Sequence, residues 1–308
     1  MEASRERAPI TERLAVVAAE VEERLARAIA ARPDVPSGLR DAIAHASLGG
    51  GKRLRPALVL AASRIFSPDD ESAWSGALAV ECIHVYSLVH DDLPCMDDDD
   101  LRRGRPTVHK VWGDAAAVLA GDGLQALAFE LMAEGVAPDS RRIDAVLVLA
   151  HAAGVSGMVG GQQRDLDAEA RFEFDPRTLD LETVRSIHAQ KTTALIRASV
   201  EIGAVLGGAP VADRRKLAAY GQQLGLAFQI IDDCLDQTAT SAELGKTAGK
   251  DANAGKATWP ACVGLEASQA EAARLVQQAR AELAGIKGVD SSLEFLDDLA
   301  KFVVDRRQ

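Results

Sequence analysis

Two groups of aspartates, far apart in the chain, have the residue type and spacing of a cation site. The first lies in HDDLPCMDDDD (90–100), where six aspartates occur within ten residues. The second lies in IIDDCLD (230–236). Both groups follow apolar runs and should end helices, where the helix dipole disfavours each carboxylate by roughly 0.3–1 kcal/mol. A bound hard cation such as Mg²⁺ would remove this penalty, because it prefers oxygen ligands.

The spacing inside each group favours a shared site. Asp232 and Asp236 are four residues apart and project together from an intact helix. Asp91 and Asp97 are six residues apart, which places them about 120° out of phase on a straight helix. Pro94 must kink or end that helix, so the chain can swing Asp97 back towards Asp91. Solvated acidic helix ends without a ligand are the alternative.

A cationic stretch elsewhere in the chain predicts an anionic ligand. In GGGKRLRP (49–56) the glycines allow close backbone approach, and Lys52 and Arg55 lie one turn apart as a helix begins. Cations at a helix N-terminus oppose the dipole and indicate a nearby anion. The stretch is not a nucleotide-binding P-loop, because that motif needs glycine and Ser or Thr where this chain has Ala46 and Arg53.

The elements that carry these residues are predicted to be helices. Long Ala-, Leu- and Val-rich segments have helical periodicity, alternating β-type runs are scarce, and 47% of the 308 residues are hydrophobic. We therefore expect an all-α fold in one domain, 1–308, with flexible residues 1–9 and a mobile, glycine-dotted loop at 238–256. Helices are expected near 10–30, 40–49, 54–66, 74–92, 115–134, 141–168, 181–207, 212–237, 257–285 and 293–305.

Two of these helices carry a polar stripe that ends in an aspartate group. The stripe between residues 77 and 92 consists of Glu81, His84, Ser87 or Leu88, and Asp91. The stripe between residues 216 and 236 consists of Gln222, Gly225, Gln229, Asp232, Asp233 and Asp236. Since the remaining residues are mostly apolar, both helices should be buried, with their stripes facing a cavity.

Composition argues against several classes of protein. A formal net charge of -11 argues against nonspecific binding to nucleic acid. Eighteen consecutive apolar residues occur nowhere, so no membrane span is expected. The start, MEASRERAPI, lacks the apolar stretch of a secretory signal, and a cytoplasmic location is expected. The four cysteines form no CxxC pair and suggest neither a zinc site nor a disulfide framework.

The aspartate motifs and the cationic stretches together resemble one known family. In chain order the sequence contains GGGKRLRP (49–56), DDLPCMD (91–97) with LRRGRPT (101–107), GGQQRDLD (160–167), HAQKTTAL (188–195) and FQIIDDCLD (228–236). This series resembles that of the trans-prenyltransferases, the short-chain polyprenyl diphosphate synthases, and is most similar to that of bacterial farnesyl diphosphate synthases. The resemblance covers roughly residues 40–265.

The resemblance implies a fold and a set of ligands. The fold is the all-α isoprenoid synthase fold, usually a homodimer, in which two aspartate-rich helix ends face each other across a deep apolar cavity. A cluster of about three Mg²⁺ ions would bridge these carboxylates to an allylic diphosphate, either dimethylallyl or geranyl diphosphate. Isopentenyl diphosphate would bind in a second pocket without metal.

The resemblance also implies a role for individual residues. The implied metal ligands are Asp91, Asp97 and Asp232. Asp92, Asp233 and Asp236 would either contact the metal ions as well or lie directly behind the ligands. The residues that would neutralise the allylic diphosphate are Arg102, Lys191, Lys246 and Lys256. The isopentenyl diphosphate pocket would consist of Lys52, Arg55, His84 and Arg103. Dipoles of Gln229 and of the Lys191–Thr192 pair would stabilise the carbocation.

The product length follows from the depth of the cavity. Tyr86 and Ser87 lie about one turn, ~5.4 Å, deeper than Asp91. An aromatic ring at that depth can act as a floor, and an aromatic five positions before the first aspartate is typical of bacterial farnesyl-chain enzymes. Farnesyl diphosphate is therefore the predicted product.

Other functions remain as alternatives. One is a geranylgeranyl diphosphate synthase, and another is a class I terpene cyclase, which has no need of a second diphosphate pocket. A protein that only buffers metal ions would explain the aspartates but not the cationic stretches.

Overall fold

The computed structural model describes residues 8–169, 180–238 and 258–305, and these residues are predominantly α-helical. Numbered in chain order, the described helices are α1 (Ile10–Ala30), α2 (Ser37–Ser47), α3 (Leu54–Arg64), α4 (Glu71–Asp91), α5 (Val108–Trp112), α6 (Asp114–Glu134), α7 (Asp139–Ala153), α8 (Met158–Ala168), α9 (Leu181–His188), α10 (Ala194–Gly207), α11 (Val211–Thr238), α12 (Trp259–Val263), α13 (Leu265–Glu282) and α14 (Asp290–Asp305). The all-α prediction is confirmed.

The observed helices differ from those expected from periodicity in three places, two of which are breaks and one a π-helical turn. The run 141–168 is interrupted between α7 and α8, and the run 257–285 is interrupted at Gly264, which has a φ of 85°. The run 181–207 stays helical but contains a π-helical turn, Ala189–Thr193, between α9 and α10. A single π-helical turn leaves the spacing of the apolar residues almost unchanged, so periodicity alone does not reveal it.

A small hairpin and a short helix follow the first aspartate group. The strands are β1 (Leu101–Arg102) and β2 (Arg105–Pro106), which pair antiparallel. Helix α5 begins immediately after them, at Val108. Neither element was expected from the sequence, because two-residue strands and a five-residue helix are too short for a periodic pattern.

The core surrounds α4, the helix that carries the first polar stripe. This helix packs against α6, α3 and α10, and its segment Ala77–Ile83 is buried at every residue. Helix α11, which carries the second stripe, packs against α10 and α13. Both stripe-bearing helices are thus held inside the bundle, as expected for helices that are apolar over most of their surface.

Some expectations concern parts of the chain that lie outside the described residues. Most of the predicted flexible start, 1–9, and all of the predicted mobile loop 238–256 except Thr238 belong to this group, and so do Lys246 and Lys256. The single domain over 1–308 stays a prediction.

Two described segments have the length and composition of a membrane span. They are Asp114–Glu134 and Asp139–Ala168, and 39% and 33% of their most apolar windows are buried in the bundle. A core helix of a folded protein has the same composition, and α6 packs against α4. These segments therefore give only weak evidence against the expectation that the chain has no membrane span.

A close contact between α3 and α10 generates a stability prediction. A Cβ on Gly203 would lie 2.1 Å from the carbonyl oxygen of Val59, and that backbone atom cannot move without shifting α3. We expect Gly203→Ala to lower the free energy of unfolding by about 1–3 kcal/mol through overpacking. Urea unfolding monitored by circular dichroism measures this loss.

The matched control for this prediction is Gly123→Ala in α6. The new Cβ there would meet only Cδ1 of Ile43, at 3.3 Å, and this methyl group can rotate away. Alanine also has the better helix propensity, by about 1 kcal/mol. The control should match or exceed the parent in stability, and equal losses in both variants would contradict the steric explanation.

Candidate active site

A buried ion pair between Arg53 and Glu81 organises the region between the cationic stretch and α4. The Arg53 side chain is fully buried, and its Nη1 donates to the carboxylate of Glu81, which is 2% exposed. Its Nη2 donates to the carbonyl oxygen of Ser47 at 2.5 Å and approaches Glu22 of α1 at 3.3 Å. The guanidinium therefore joins α1, the end of α2 and α4 immediately before α3 begins.

Lys52 and Arg55, on either side of Arg53, border a cavity of about 350 Å³. The same cavity is lined by His84 of α4 and by Arg103 of the hairpin turn. The structure thus brings together all four residues that were predicted to bind the second diphosphate. Its apolar side is formed by Leu14, Leu54, Phe228, Phe302 and Val303.

The backbone of the cationic stretch holds Arg103 against the cavity. Nη1 of Arg103 donates to the carbonyl oxygen of Gly50. The neighbouring Gly51 has a φ of 118°, and a Cβ there would lie 2.7 Å from the Arg103 guanidinium carbon. This φ strains any residue that has a side chain, which explains the glycine next to Lys52. The glycines were expected to let another group come close to the backbone. In the structure this group is the guanidinium of Arg103.

Positive charge is concentrated around this cavity. Burial lowers the pKa of Arg55, Glu81 and Asp232 raise it, and Arg103 lowers it further. Burial also lowers the pKa of Arg103, as does its neighbour Arg53. Arginine nevertheless stays protonated in proteins, so both groups remain cations. Because the Glu81 carboxylate is already bound to Arg53, the cavity suits an anion.

His84 is neutral in this environment. Its pKa lies well below the ordinary value of 6.5, first because of burial and then because of the charges of Arg55, Arg103, Arg53 and Arg102. A neutral imidazole retains one N–H donor and can therefore bind an anionic oxygen without adding charge.

The first aspartate group folds back on the end of α4. This helix ends at Asp91, and the backbone N–H of Asp97 donates to the Asp91 carbonyl oxygen at 2.8 Å. The chain reversal expected from Pro94 is therefore present. The N–H of Asp99 likewise donates to the carbonyl oxygen of Asp92, at 3.2 Å.

Asp92 is bound to the guanidinium of Arg102 and is buried. It is 3% exposed and accepts hydrogen bonds from Nε and Nη2 of Arg102 at 2.9 and 2.5 Å. Burial raises the pKa of Asp92 to about 6 against the effect of Arg102, and Asp99 and Asp97 raise it further. This crowding of carboxylate oxygens fits a hard divalent cation, which would relieve the repulsion.

The second aspartate group is divided between two environments. Asp233 is buried and accepts hydrogen bonds from Nε2 of Gln229 at 2.9 Å and from the backbone N–H of Trp259 at 2.8 Å. Nε2 of His188 lies 3.2 Å from the same carboxylate. Asp233 therefore ties α11 to α9 and α12. Asp232, which is more exposed, acts electrostatically on Arg55 at the cationic cavity.

The π-helical turn presents the Lys191–Thr192 pair. Nζ of Lys191 lies 2.5 Å from Oδ2 of Asp165 in α8, and Oγ1 of Thr192 donates to Oε1 of Gln229 at 2.6 Å. Gln229 in turn donates to Asp233, so the turn is connected to the second aspartate group. Single π-helical turns are frequent at functional sites.

Tyr86 and Ser87 lie on α4 before the first aspartate group. Tyr86 is 4% exposed, and its ring packs edge-on against His90 with centroids 5.7 Å apart. Burial and the charge of Asp91 raise the pKa of Tyr86 to about 12, so the phenol stays neutral. Oγ of Ser87 donates to the His84 carbonyl oxygen at 2.8 Å and stays close to the helix.

Sequence reasoning missed the partners that hold these groups. It placed Glu81 on the polar stripe without its ion pair to Arg53, and it assigned no role to His188 or Phe302. Asp165 was visible in the motif GGQQRDLD, but only the fold places it against Lys191.

Comparison with known proteins decides the family. The family model for polyprenyl synthetase matches residues 36–294 of the chain. The chain belongs to the polyprenyl synthetase family. The sequence-based assignment to this family and to the prenyltransferases is therefore confirmed.

Relatives of this polyprenyl synthetase are named for products of different length. The farnesyl diphosphate synthase of Escherichia coli is 42% identical over 92% of this chain and 94% of that protein. Geranylgeranyl pyrophosphate synthase 12 of Arabidopsis thaliana is 46% identical over 82% of this chain and 70% of that protein. A geranyltransferase from Helicobacter pylori, crystallised with magnesium and isoprenyl diphosphate, is 29% identical over 97% of both chains, with a TM-score of 0.79.

The neutral state of His84 generates a pH prediction. The folded polyprenyl synthetase binds fewer protons at His84 than the unfolded chain, because the pKa is lowered only on folding. Stability should therefore fall as the pH drops below 6.5, by up to about 1.4 kcal/mol per pH unit from this group.

Urea unfolding between pH 7 and pH 5 (about the range in which histidine titrates) measures this dependence. His84→Gln should reduce the slope, since glutamine does not titrate. His151→Gln, at an exposed position of α7, is the control and should keep the parental slope. A slope unchanged by His84→Gln would show that other groups cause the dependence.

Proposed function

We propose that this polyprenyl synthetase condenses isopentenyl diphosphate with dimethylallyl and then geranyl diphosphate to give farnesyl diphosphate. The observation that carries this proposal is the cavity where Lys52, Arg55, His84 and Arg103 converge. A second diphosphate needs such a site, whereas a terpene cyclase, which ionises a single allylic diphosphate, does not. The class I terpene cyclase alternative is therefore disfavoured.

The allylic diphosphate is proposed to bind at the two aspartate groups through about three Mg²⁺ ions, which as Lewis acids would stabilise the leaving diphosphate. Asp91, Asp97 and Asp232 are the proposed ligands, and Asp236 lies one turn beyond Asp232. Asp92 and Asp233 fit a supporting role better than direct ligation, since both already accept hydrogen bonds from protein groups.

The cations near the aspartate groups are proposed to hold the allylic diphosphate. Arg102 is anchored by Asp92 and also contacts Asp99 at 3.1 Å, so its guanidinium is fixed beside the metal ligands. Lys191 is oriented by Asp165. Lys246 and Lys256 stay predicted partners of this diphosphate and lie outside the described residues.

The homoallylic substrate is proposed to keep its diphosphate throughout the reaction. Lys52, Arg55 and Arg103 would neutralise it, and neutral His84 would donate one hydrogen bond. The dipoles of Gln229 and Thr192, locked by their mutual hydrogen bond, would face the carbocation while the double bond attacks. The departing proton would go to the released diphosphate, because the site needs no protein base.

A geranylgeranyl diphosphate product is the second candidate. The Arabidopsis thaliana relative carries that name and is 46% identical, close to the 42% of the Escherichia coli farnesyl enzyme. The farnesyl assignment is supported by the buried ring of Tyr86, one turn before Asp91.

A homodimer and a cytoplasmic location stay predictions. Helix α6 supports the dimer, because Val118 and Leu119 on its outer side are 41% and 56% exposed, which suits a second copy. Sedimentation velocity of the full chain tests this association.

The proposed function is tested by supplying substrates in two steps. Dimethylallyl diphosphate alone should give no condensation product, and addition of isopentenyl diphosphate with Mg²⁺ should give farnesyl diphosphate, detected by chromatography after dephosphorylation. Asp91→Ala should lower turnover by orders of magnitude, roughly 10³-fold or more, because leaving-group stabilisation is lost. Near-normal turnover in Asp91→Ala would contradict the metal assignment, and a cyclic product from one diphosphate would favour the cyclase.

The product length is tested at Tyr86. Tyr86→Ala should deepen the cavity and shift the main product to geranylgeranyl diphosphate or longer, with little loss of the first condensation. Ser87→Ala is the control at the neighbouring position and should change the product less, because its hydroxyl is bound to its own helix. An unchanged farnesyl product in Tyr86→Ala would remove the ring from this role.

A further inference from the structure

The π-helical turn Ala189–Thr193 packs against two helices, α8 and α11. Each of these helices has a buried glycine at the contact, Gly161 in α8 and Gly225 in α11. Isolated π-helical turns are rare in proteins. The contacts with the two helices therefore help to decide where the backbone of this turn lies.

Gly161 lets α8 approach the backbone of the turn. A Cβ at this position would lie 2.2 Å from the backbone nitrogen of Lys191 and 2.7 Å from the carbonyl carbon of Gln190. Asp165, four residues later in the same helix, lies 2.5 Å from Nζ of Lys191. Because residues four apart share a helix face, both contacts come from one surface of α8. An alanine at position 161 would push this surface, with Asp165, away from the turn.

Gly225 lets α11 approach the turn in the same way. A Cβ there would lie 2.9 Å from both Cα and Cγ2 of Thr193. Thr193 is completely buried, so it cannot move into solvent to make room. Gln229, again four residues later in its helix, accepts a hydrogen bond from the Thr192 hydroxyl at 2.6 Å. The added carbon would make a milder contact here than in α8, and an alanine should displace the turn by a smaller distance.

We propose that Gly161 and Gly225 are positioning residues, because they set the distance at which α8 and α11 bind the Lys191–Thr192 pair. This inference rests on the proposed function, in which Lys191 holds the allylic diphosphate and Thr192 faces the carbocation. Neither glycine touches a substrate. Each acts through a polar contact that is lost when its two heavy atoms separate beyond roughly 3.5 Å.

The effect of these glycines should fall on the chemical step. A displacement of about 1 Å near the reacting groups can lower the rate about 10²-fold. The cations of the proposed isopentenyl diphosphate pocket, Lys52, Arg55 and Arg103, lie on other elements and should keep their places. An alanine at either glycine should therefore lower kcat and leave KM for isopentenyl diphosphate almost unchanged.

The test measures kcat and this KM with dimethylallyl diphosphate and Mg²⁺ present. Gly225→Ala should lower kcat roughly 10-fold or more, and Gly161→Ala should lower it further. The control is Gly288→Ala, whose Cβ would lie 2.2 Å from the carbonyl oxygen of Ile65 at the end of α3. This contact is as close as the one at Gly161, so the control should lose stability but keep the parental kcat. Gly225→Ala, with its milder contact, keeps the test valid if Gly161→Ala does not fold.

A second substitution separates positioning from a general loss of structure. Thr193→Ser removes Cγ2, one of the two atoms nearest to the carbon added by Gly225→Ala. It should restore part of the kcat that Gly225→Ala loses. The proposal is overturned by parental kcat in both Gly161→Ala and Gly225→Ala, and equally by the same loss of kcat in Gly288→Ala.

Unfolding in urea gives a measurement that does not depend on the reaction. Thr192→Val removes the hydroxyl that binds Gln229, and the resulting loss of stability should be smaller in Gly225→Ala than in the parent. In Gly288→Ala the full loss should remain. Equal losses in all three backgrounds would overturn the proposal. A parent that forms no condensation product would contradict the proposed function, and the unfolding measurements would still decide the role of Gly225.

Discussion

The buried ion pair between Arg53 and Glu81 is the constraint on which the site depends. Removing one partner of such a pair leaves an uncompensated buried charge and costs about 3–5 kcal/mol, although the intact pair adds little net stability. Arg53 has a left-handed φ of 46°, and its fully buried side chain contacts α1, the end of α2 and α4. Because this residue points inwards, Lys52 and Arg55 on either side of it border the cavity. The pair thus positions the cationic stretch against the helix that carries His84 and Asp91.

Positive charges are concentrated around the cavity, and negative charges are concentrated at the end of α4. The protein compensates these two groups of charges in different ways. Around the cavity, Glu81 forms an ion pair with Arg53, and burial together with the surplus of arginine charge lowers the pKa of His84 and keeps it neutral. At the end of α4, burial and then the neighbouring Asp99 and Asp97 raise the pKa of Asp92 to about 6, even with Arg102 bound. The cavity therefore suits an anion, as the proposed site for the metal-free diphosphate requires. The end of α4 suits a cation, as the proposed site for the metal-bound diphosphate requires.

Each aspartate group combines buried members with members that are more exposed. Asp92 fixes Arg102, and Asp233 joins Gln229, Trp259 and His188, so these buried carboxylates position other side chains. Asp232 is more exposed and acts on the cavity at Arg55. Adjacent aspartates in one motif thereby have distinct chemical environments.

The sequence by itself determined the helical class and the family, and it selected Lys52, Arg55, His84 and Arg103, which the structure brings together at one cavity. Apolar period, the two aspartate motifs and GGGKRLRP are local patterns that need no knowledge of distant contacts. The tertiary structure decided which charges are compensated inside the protein. Arg53 is 28 residues from Glu81, Lys191 is 26 residues from Asp165, and Trp259 is 26 residues from Asp233. The sequence also missed the β1–β2 hairpin, whose turn places Arg103 at the cavity. Such pairings depend on which helices pack together, and neither the spacing nor the periodicity of a single segment contains that information.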